Sequence, residues 1–210
     1  MTQLNQVDFE TGDFTQCISH TGGSVQSGVA LRGSFSAELN RSASAANCIV
    51  GASSTAYVQL SNVVYFGFLW RWDSQSGEAG ICNIVDSTGS YLAALHISST
   101  GLLIFYDVLG TALATGTTAI GSSTTTTLGV KIDRGTNSWE VRINNATEIS
   151  GTNASLGTDK PGGINCGGGS NYTQVSYYDQ VTLDDAVFPY PLTAPATTVG
   201  QTLTGIGLFF

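Results

Sequence analysis

The sequence predicts an all-β protein: a two-sheet antiparallel jelly-roll sandwich with an extended C-terminal tail. Three observations predict it. Only 10% of the 210 residues are charged, against about 25% in an ordinary domain, so the Lys and Glu that usually cover helix surfaces are scarce. There are 26 glycines, and Ser and Thr crowd the segments between apolar runs, the composition of turns. Apolar and polar residues alternate with period 2 in run after run, the mark of half-buried strands.

The runs follow in order. Val7-Asp8-Phe9-Glu10 reads as a first strand, with a turn at Thr11-Gly12-Asp13. Gly28 to Phe35 alternates, then Ala37 to Leu39, then Ala56 to Leu60. Val63 to Trp72 is the longest apolar run and suits a buried central strand. Gly80–Val85, Tyr91–Ile97, Leu102–Val108, Leu128–Asp133, Trp139–Ile143 and Gln174–Leu183 complete the set. Two hairpins are marked by Gly-containing loops, one at Ile97–Leu102 and one at Asp133–Ser138. No stretch from Met1 to Phe188 has the pattern of a long amphipathic helix. Consecutive strands joined this way give a sandwich or jelly roll.

Two segments break the pattern. Gly157 to Asn171 holds six glycines and Pro161. It reads as a long irregular loop, either a functional loop or a surface connection. After Phe188-Pro189-Tyr190-Pro191 the sheet pattern ends, because proline cannot sit in a central strand. The expected division is a sandwich over 1–188 and an apolar arm over 189–210. That arm ends in Leu208-Phe209-Phe210, which either packs as a last strand or docks on a neighbouring subunit.

Charge and cysteine usage exclude several classes. The net charge is −8, from 7 basic and 15 acidic residues, and no Lys/Arg cluster exists. Nucleic-acid and anionic-membrane partners both need such a cluster, so neither is expected. No apolar run approaches the length of a membrane helix. Cys17, Cys48, Cys82 and Cys166 contain no CxxC pair and fit no zinc ribbon. They are read as buried thiols or as one or two disulfides. The opening MTQLNQVDFETGDF has neither a basic nor an apolar leader region, so no signal peptide is expected.

Several stretches together resemble the concanavalin A-like lectin/glucanase and laminin-G-like jelly-roll domains. Asp8-Phe9-Glu10-Thr11-Gly12-Asp13-Phe14 is similar to their first strand, and Tyr65 to Trp72 to their central strand. Leu128–Asp133 with Trp139–Asn145 looks like their late hairpin, and Ser176–Asp184 like their return strand. The resemblance spans roughly residues 7–186 and rests on the order of the pieces. It implies a two-sheet jelly roll with sugar-binding or structural roles. It also implies a structural calcium shared by Glu10 and Asp179, with loop carbonyls supplying further oxygens. Otherwise those carboxylates accept hydrogen bonds at a strand end. No other cofactor is expected.

A search for catalytic machinery finds none in the sequence. Glucanases on this scaffold carry closely spaced carboxylates on one strand face. Here Glu78 and Asp86 fall at the two ends of their strand. There is no GxSxG elbow, and the only histidines are His20 and His96. His96 is read as a satisfied sheet residue, and the chain is expected not to be an enzyme.

These readings converge on a bacteriophage virion structural protein, made in the host cytoplasm without a leader. Its expected role is capsid decoration on the particle surface. The partners would be the major capsid protein or other virion proteins. Self-association as a homo-oligomer, a trimer at local three-fold positions, is also expected. Leu208, Phe209 and Phe210 would do the docking. The alternative is a carbohydrate-binding module for surface glycans, with Asn171 and Tyr172 as contacts. Trp70 and Trp72 share one strand face and are read as packing residues.

Overall fold

The structure, a computed structural model, describes residues 3–41, 46–52, 60–153, 156, 159–167 and 173–189. Among them the chain forms strands and no helix. In chain order these are β1 (Gln3–Val7), β2 (Ser19–Thr21), β3 (Ser24–Gln26), β4 (Ser36–Asn40) and β5 (Asn47–Gly51). β6 (Val63–Gln75), β7 (Ala79–Asp86), β8 (Tyr91–Ile97), β9 (Leu103–Asp107) and β10 (Ala112–Thr115) follow. The last are β11 (Thr126–Asp133), β12 (Ser138–Ile143), β13 (Ala146–Thr152), β14 (Pro161–Cys166) and β15 (Gln174–Asp184). The first sheet has the order β13-β12-β11-β6-β15-β4-β3, with β1 also paired to β15. The second has the order β10-β9-β8-β7-β14-β5-β2. The pairings are antiparallel, so the expected all-β jelly-roll sandwich is what the chain forms.

Period 2 explains the core. On β6 the residues Val64, Phe66, Phe68 and Trp70 are fully buried, and on β11 so are Leu128, Val130 and Ile132. Ile84, Leu95, Phe105 and Ile164 answer from the second sheet. At ~25 cal/mol per Å² of apolar surface, this interlayer is the main force joining the sheets. Trp70 is fully buried, and Trp139 stacks on Phe105 with ring centroids 4.5 Å apart. Tyr178 is buried, and its hydroxyl donates to the Ile81 carbonyl at 2.6 Å. These rings are packing groups, as expected for Trp70.

Three elements differ from expectation. The first strand stops at Val7, and Phe9 takes a left-handed conformation with φ 59° while its ring stays buried. The Gln16 side-chain oxygen accepts from the Asp8 and Phe9 amides at 3.1 Å, which serves N–H groups a longer strand would have paired. Gly28 to Phe35 is a loop folded over the outer face of the first sheet, where Leu31 packs with Leu69 and Tyr177. The glycine-rich segment holds β14, an interior strand between β7 and β5. Its glycines are demanded by close approach. A Cβ on Gly162 would meet the Asp86 carbonyl oxygen at 2.5 Å, and one on Gly163 the Val50 carbonyl oxygen at 2.6 Å. Pro161 sits at the first position of β14, where a strand tolerates it. The run Ala56 to Tyr57-Val58-Gln59 and the arm beyond Pro189 lie outside the described residues.

The cysteines divide. Cys17 and Cys48 form a disulfide with Cα atoms 6.4 Å apart, while Cys82 and Cys166 are buried thiols. Cys48, Cys166 and Cys82 stand in one cross-strand row on β5, β14 and β7. Burial pushes both thiols well above the usual range, which makes them packing groups rather than nucleophiles.

Candidate functional site

Glu10 and Asp179 both serve the 28–35 loop. Glu10 Oε1 accepts from the Ser34 amide at 2.9 Å and the Phe35 amide at 3.1 Å. Asp179 Oδ2 accepts from the Arg32 amide at 2.7 Å, and its Oδ1 from the Gln180 amide at 2.7 Å. Gln180 has φ 51° at a break in the β15–β6 register, and this bulge sits beside Asp179. Burial pushes the Asp179 carboxyl up to about 7, against the pull of the two amides, and Glu10 and Asp8 add to the rise. Calcium needs six to eight oxygen ligands. Here the carboxylate oxygens face N–H donors. Among the described residues no three His, Cys, Asp or Glu side chains gather to hold a metal. The donor set is that of a pinned loop and does not fit a calcium cage.

The expected glycan contacts Asn171 and Tyr172, and the expected docking residues Leu208, Phe209 and Phe210, lie outside the described residues. Of the other aromatic residues, Tyr177 is buried under the 28–35 loop and Trp72 packs against the core.

The outer face of the second sheet carries a different group. Hairpin register places Ala94 opposite Tyr106 and His96 opposite Ile104. The β7–β8 register places Asn83 opposite Ala94 and Gly80 opposite His96. Alternation then sends Asn83, Ala94, His96 and Tyr106 to the same outward face. Glu78, two residues before Gly80, reaches the same face across the bare glycine. His96 Nδ1 pairs with Glu78 Oε1 at 2.7 Å, and the Tyr106 hydroxyl donates to the same oxygen at 2.8 Å. The His96 and Tyr106 rings lie 4.7 Å apart. These residues line an open groove of about 340 Å³, with Tyr91, Asp107 and Val108 at its rim.

The chemistry of this trio follows from its hydrogen bonds. An ionised carboxylate only accepts, so Glu78 fixes His96 with Nδ1 as donor. The neutral ring then offers Nε2 as the nitrogen for a ligand or a proton. The side chains of His96 and Glu78 are 21% and 31% exposed, so a solute can reach them. Asp107 does not act as a second free carboxylate: its Oδ1 accepts from the Leu109 amide at 2.9 Å and the Thr111 amide at 2.8 Å. The marked 97–102 hairpin was enough to place His96 beside Tyr106. Glu78 needed the register across β7, which shifts between Gly80 and Cys82 and leaves no mark in the sequence.

A second open cleft, of about 540 Å³, lies on the outer face of the first sheet. Tyr65, Lys131, Arg142 and Phe188 line it. Arg142 stands over the Phe188 ring at 4.1 Å and pairs with Glu140 at 2.7 Å.

Solved structures share this fold at very low identity. The Trypanosoma rangeli sialidase in complex with 2,3-difluoro-KDN aligns with a TM-score of 0.54 and 11% identity, over 81% of this chain and 30% of that one. Another sialidase aligns at 0.58 and 9%, over 89% of this chain and 19% of that one. The alginate lyase AlgAT5 of polysaccharide lyase family 7 aligns at 0.56 and 9%, over 79% and 82% of the two chains. This chain therefore spans less than a third of the length of those sialidases. No protein-family model and no curated protein matches it. The likeness is one of fold. It nonetheless overturns the exclusion of an enzyme drawn from the sequence, since the neighbours are themselves enzymes. That exclusion came from a motif search, which cannot detect a trio assembled from two strands and a turn distant in sequence.

Proposed function

We propose that the chain is a saccharide-recognising domain whose ligand lies in the groove on the outer face of the second sheet. One observation carries this reading: Glu78, His96 and Tyr106 are joined by hydrogen bonds in an open groove rather than buried in the core. Aromatic rings with fixed polar groups beside them suit sugar rings, which present apolar C–H faces and hydroxyl edges. The neighbours of this fold include proteins named as sialidases and an alginate lyase, and carbohydrate ligands are in keeping with that. The test is a glycan array followed by titration calorimetry. The intact protein should bind a subset of glycans, and Tyr106→Ala should lose at least about tenfold in affinity, or 1.4 kcal/mol. Equal binding by the variant sinks the groove as the site.

A second reading is favoured by the Glu78–His96 contact itself. A carboxylate that orients an imidazole leaves Nε2 fit for acid–base work on a bound sugar, and a tyrosine serves as the nucleophile of some glycosidases. Incubation with the bound glycans and analysis of chain ends tests it, with His96→Ala expected to remove any turnover. The virion role expected from the sequence rested on the leaderless start, the low charge, the hydroxyl-rich turns and the docking residues of the arm. No feature of the groove speaks for it, and copy number per purified particle is its test.

A further inference from the structure

We infer that the groove takes an uncharged oligosaccharide laid across the strands, a reading that rests on the groove being a saccharide site. The floor is a straight cross-strand row, Asn83 on β7 opposite Ala94 on β8 and Ala94 opposite Tyr106 on β9. Three strands give two spacings, about 10 Å in all, a length suited to two linked sugar rings rather than one. Ala94 is the small residue in this row, and it leaves the hollow between Asn83 and Tyr106.

The charge of the walls selects the ligand. No Lys or Arg lines the groove, while Glu78 and Asp107 do. The chain as a whole carries −8. A carboxylated sugar would approach like charge with no cation to receive it, and such repulsion costs about 1 kcal/mol or more at 4 Å even in water. A neutral sugar loses nothing to this field. Polar recognition is supplied instead by the Asn83 amide on the floor and by the ring of His96 beside it.

The experiment is calorimetry on the whole protein with two panels. One contains neutral gluco-, manno- and xylo-oligosaccharides of increasing length, and the other contains uronic-acid oligomers prepared from alginate and pectate. Neutral oligomers should bind, tightening by about tenfold or more from one ring to several, with uronates at least about tenfold weaker. Ala94→Leu fills the hollow while leaving Glu78, His96 and Tyr106 in place and should abolish binding. Asn83→Ala, with circular dichroism as the folding control, should weaken the longer oligomers more than the short ones. Uronates binding as well as neutral chains would overturn the inference and leave the saccharide reading standing. Binding to neither panel would overturn the saccharide reading itself, and binding untouched by Ala94→Leu would overturn the groove as its site.

Discussion

Asp179 shows how one side chain can be mistaken for another kind of site. Its place after Tyr177-Tyr178, late in the chain, resembles a calcium ligand. In the fold it is a buried carboxyl that holds the Arg32 amide and is pushed up to about 7 by its burial. The sign of its pH effect follows. The folded state binds this proton more tightly than the unfolded chain, whose carboxyl titrates near the ordinary value of 3.8. Its contribution to stability is complete below about pH 4, falls as pH rises toward 7, and is flat above. At about 1.36 kcal/mol per pH unit, the loss is at most about 4 kcal/mol. Asp73 and Asp133 have carboxyls held low by hydrogen bonds and act in the opposite sense, at lower pH. The difference between wild type and Asp179→Asn isolates the one residue. Urea unfolding at pH 4.5 and pH 7.5 should show the variant gaining on wild type at the higher pH. Parallel behaviour at both pH values would contradict this account. Calcium and a chelator should give the same curves, because amide donors already occupy the carboxylate oxygens.

At the scale of elements, the strands rich in Val, Ile, Leu and Phe were legible, and β14 was not. β6, β7, β8, β11, β12 and β15 all lie where their apolar runs place them, and β7 and β15 bury the outer face as well as the core face. β14 has the sequence Pro-Gly-Gly-Ile-Asn-Cys and is buried along its whole length. Period and propensity both point away from a strand there. What makes it one is the fit between β7 and β5, where two neighbouring backbones come too close for side chains at Gly162 and Gly163. That constraint is tertiary, so it is invisible in a window of sequence. It is also testable. Gly163→Ala sets a Cβ against the Val50 carbonyl oxygen at 2.6 Å, and backbone on both sides leaves little room to yield. A loss of about 1–3 kcal/mol is expected, in the range of overpacked cores. Gly121→Ala is the comparison: its Cβ meets only the Thr124 hydroxyl at 3.3 Å on an exposed turn, and it should stay within about 0.5 kcal/mol of wild type. Equal effects in thermal unfolding would mean the glycines of β14 are not there for close approach. The groove was half legible in the same way. His96 and Tyr106 come from a hairpin the sequence marks, whereas Glu78 reaches them across a register shift in β7 that it hides.

At the scale of the molecule, the last strand among the described residues, β15, ends at Asp184. β15 pairs on one side with β6 and on the other with β4 and β1, so the last strand of the sandwich lies among the first ones. The residues that follow are fastened to the outside. Asp184 Oδ1 accepts from the Ala186 amide at 2.7 Å and the Val187 amide at 3.0 Å, and Phe188 then packs on Tyr65 with centroids 4.9 Å apart. Among the described residues every strand pairing is thus made by residues up to 184, and the Phe188 anchor lies on the outer surface. A chain ending at Pro189 should therefore fold. Its far-ultraviolet spectrum should match that of the full chain, and its melting temperature should lie within about 4 °C, the shift of roughly 1 kcal/mol for a domain of this size. Its affinity for groove ligands should be unchanged, since the groove is on the opposite sheet from Phe188. If the shortened chain fails to fold, residues after Pro189 belong to the core, and the boundary read from the two prolines is wrong. If it folds but loses its glycan, the arm reaches the groove of the second sheet. If it folds and binds but changes its state of association in sedimentation, the arm joins one copy or partner to another, as Leu208, Phe209 and Phe210 led us to expect.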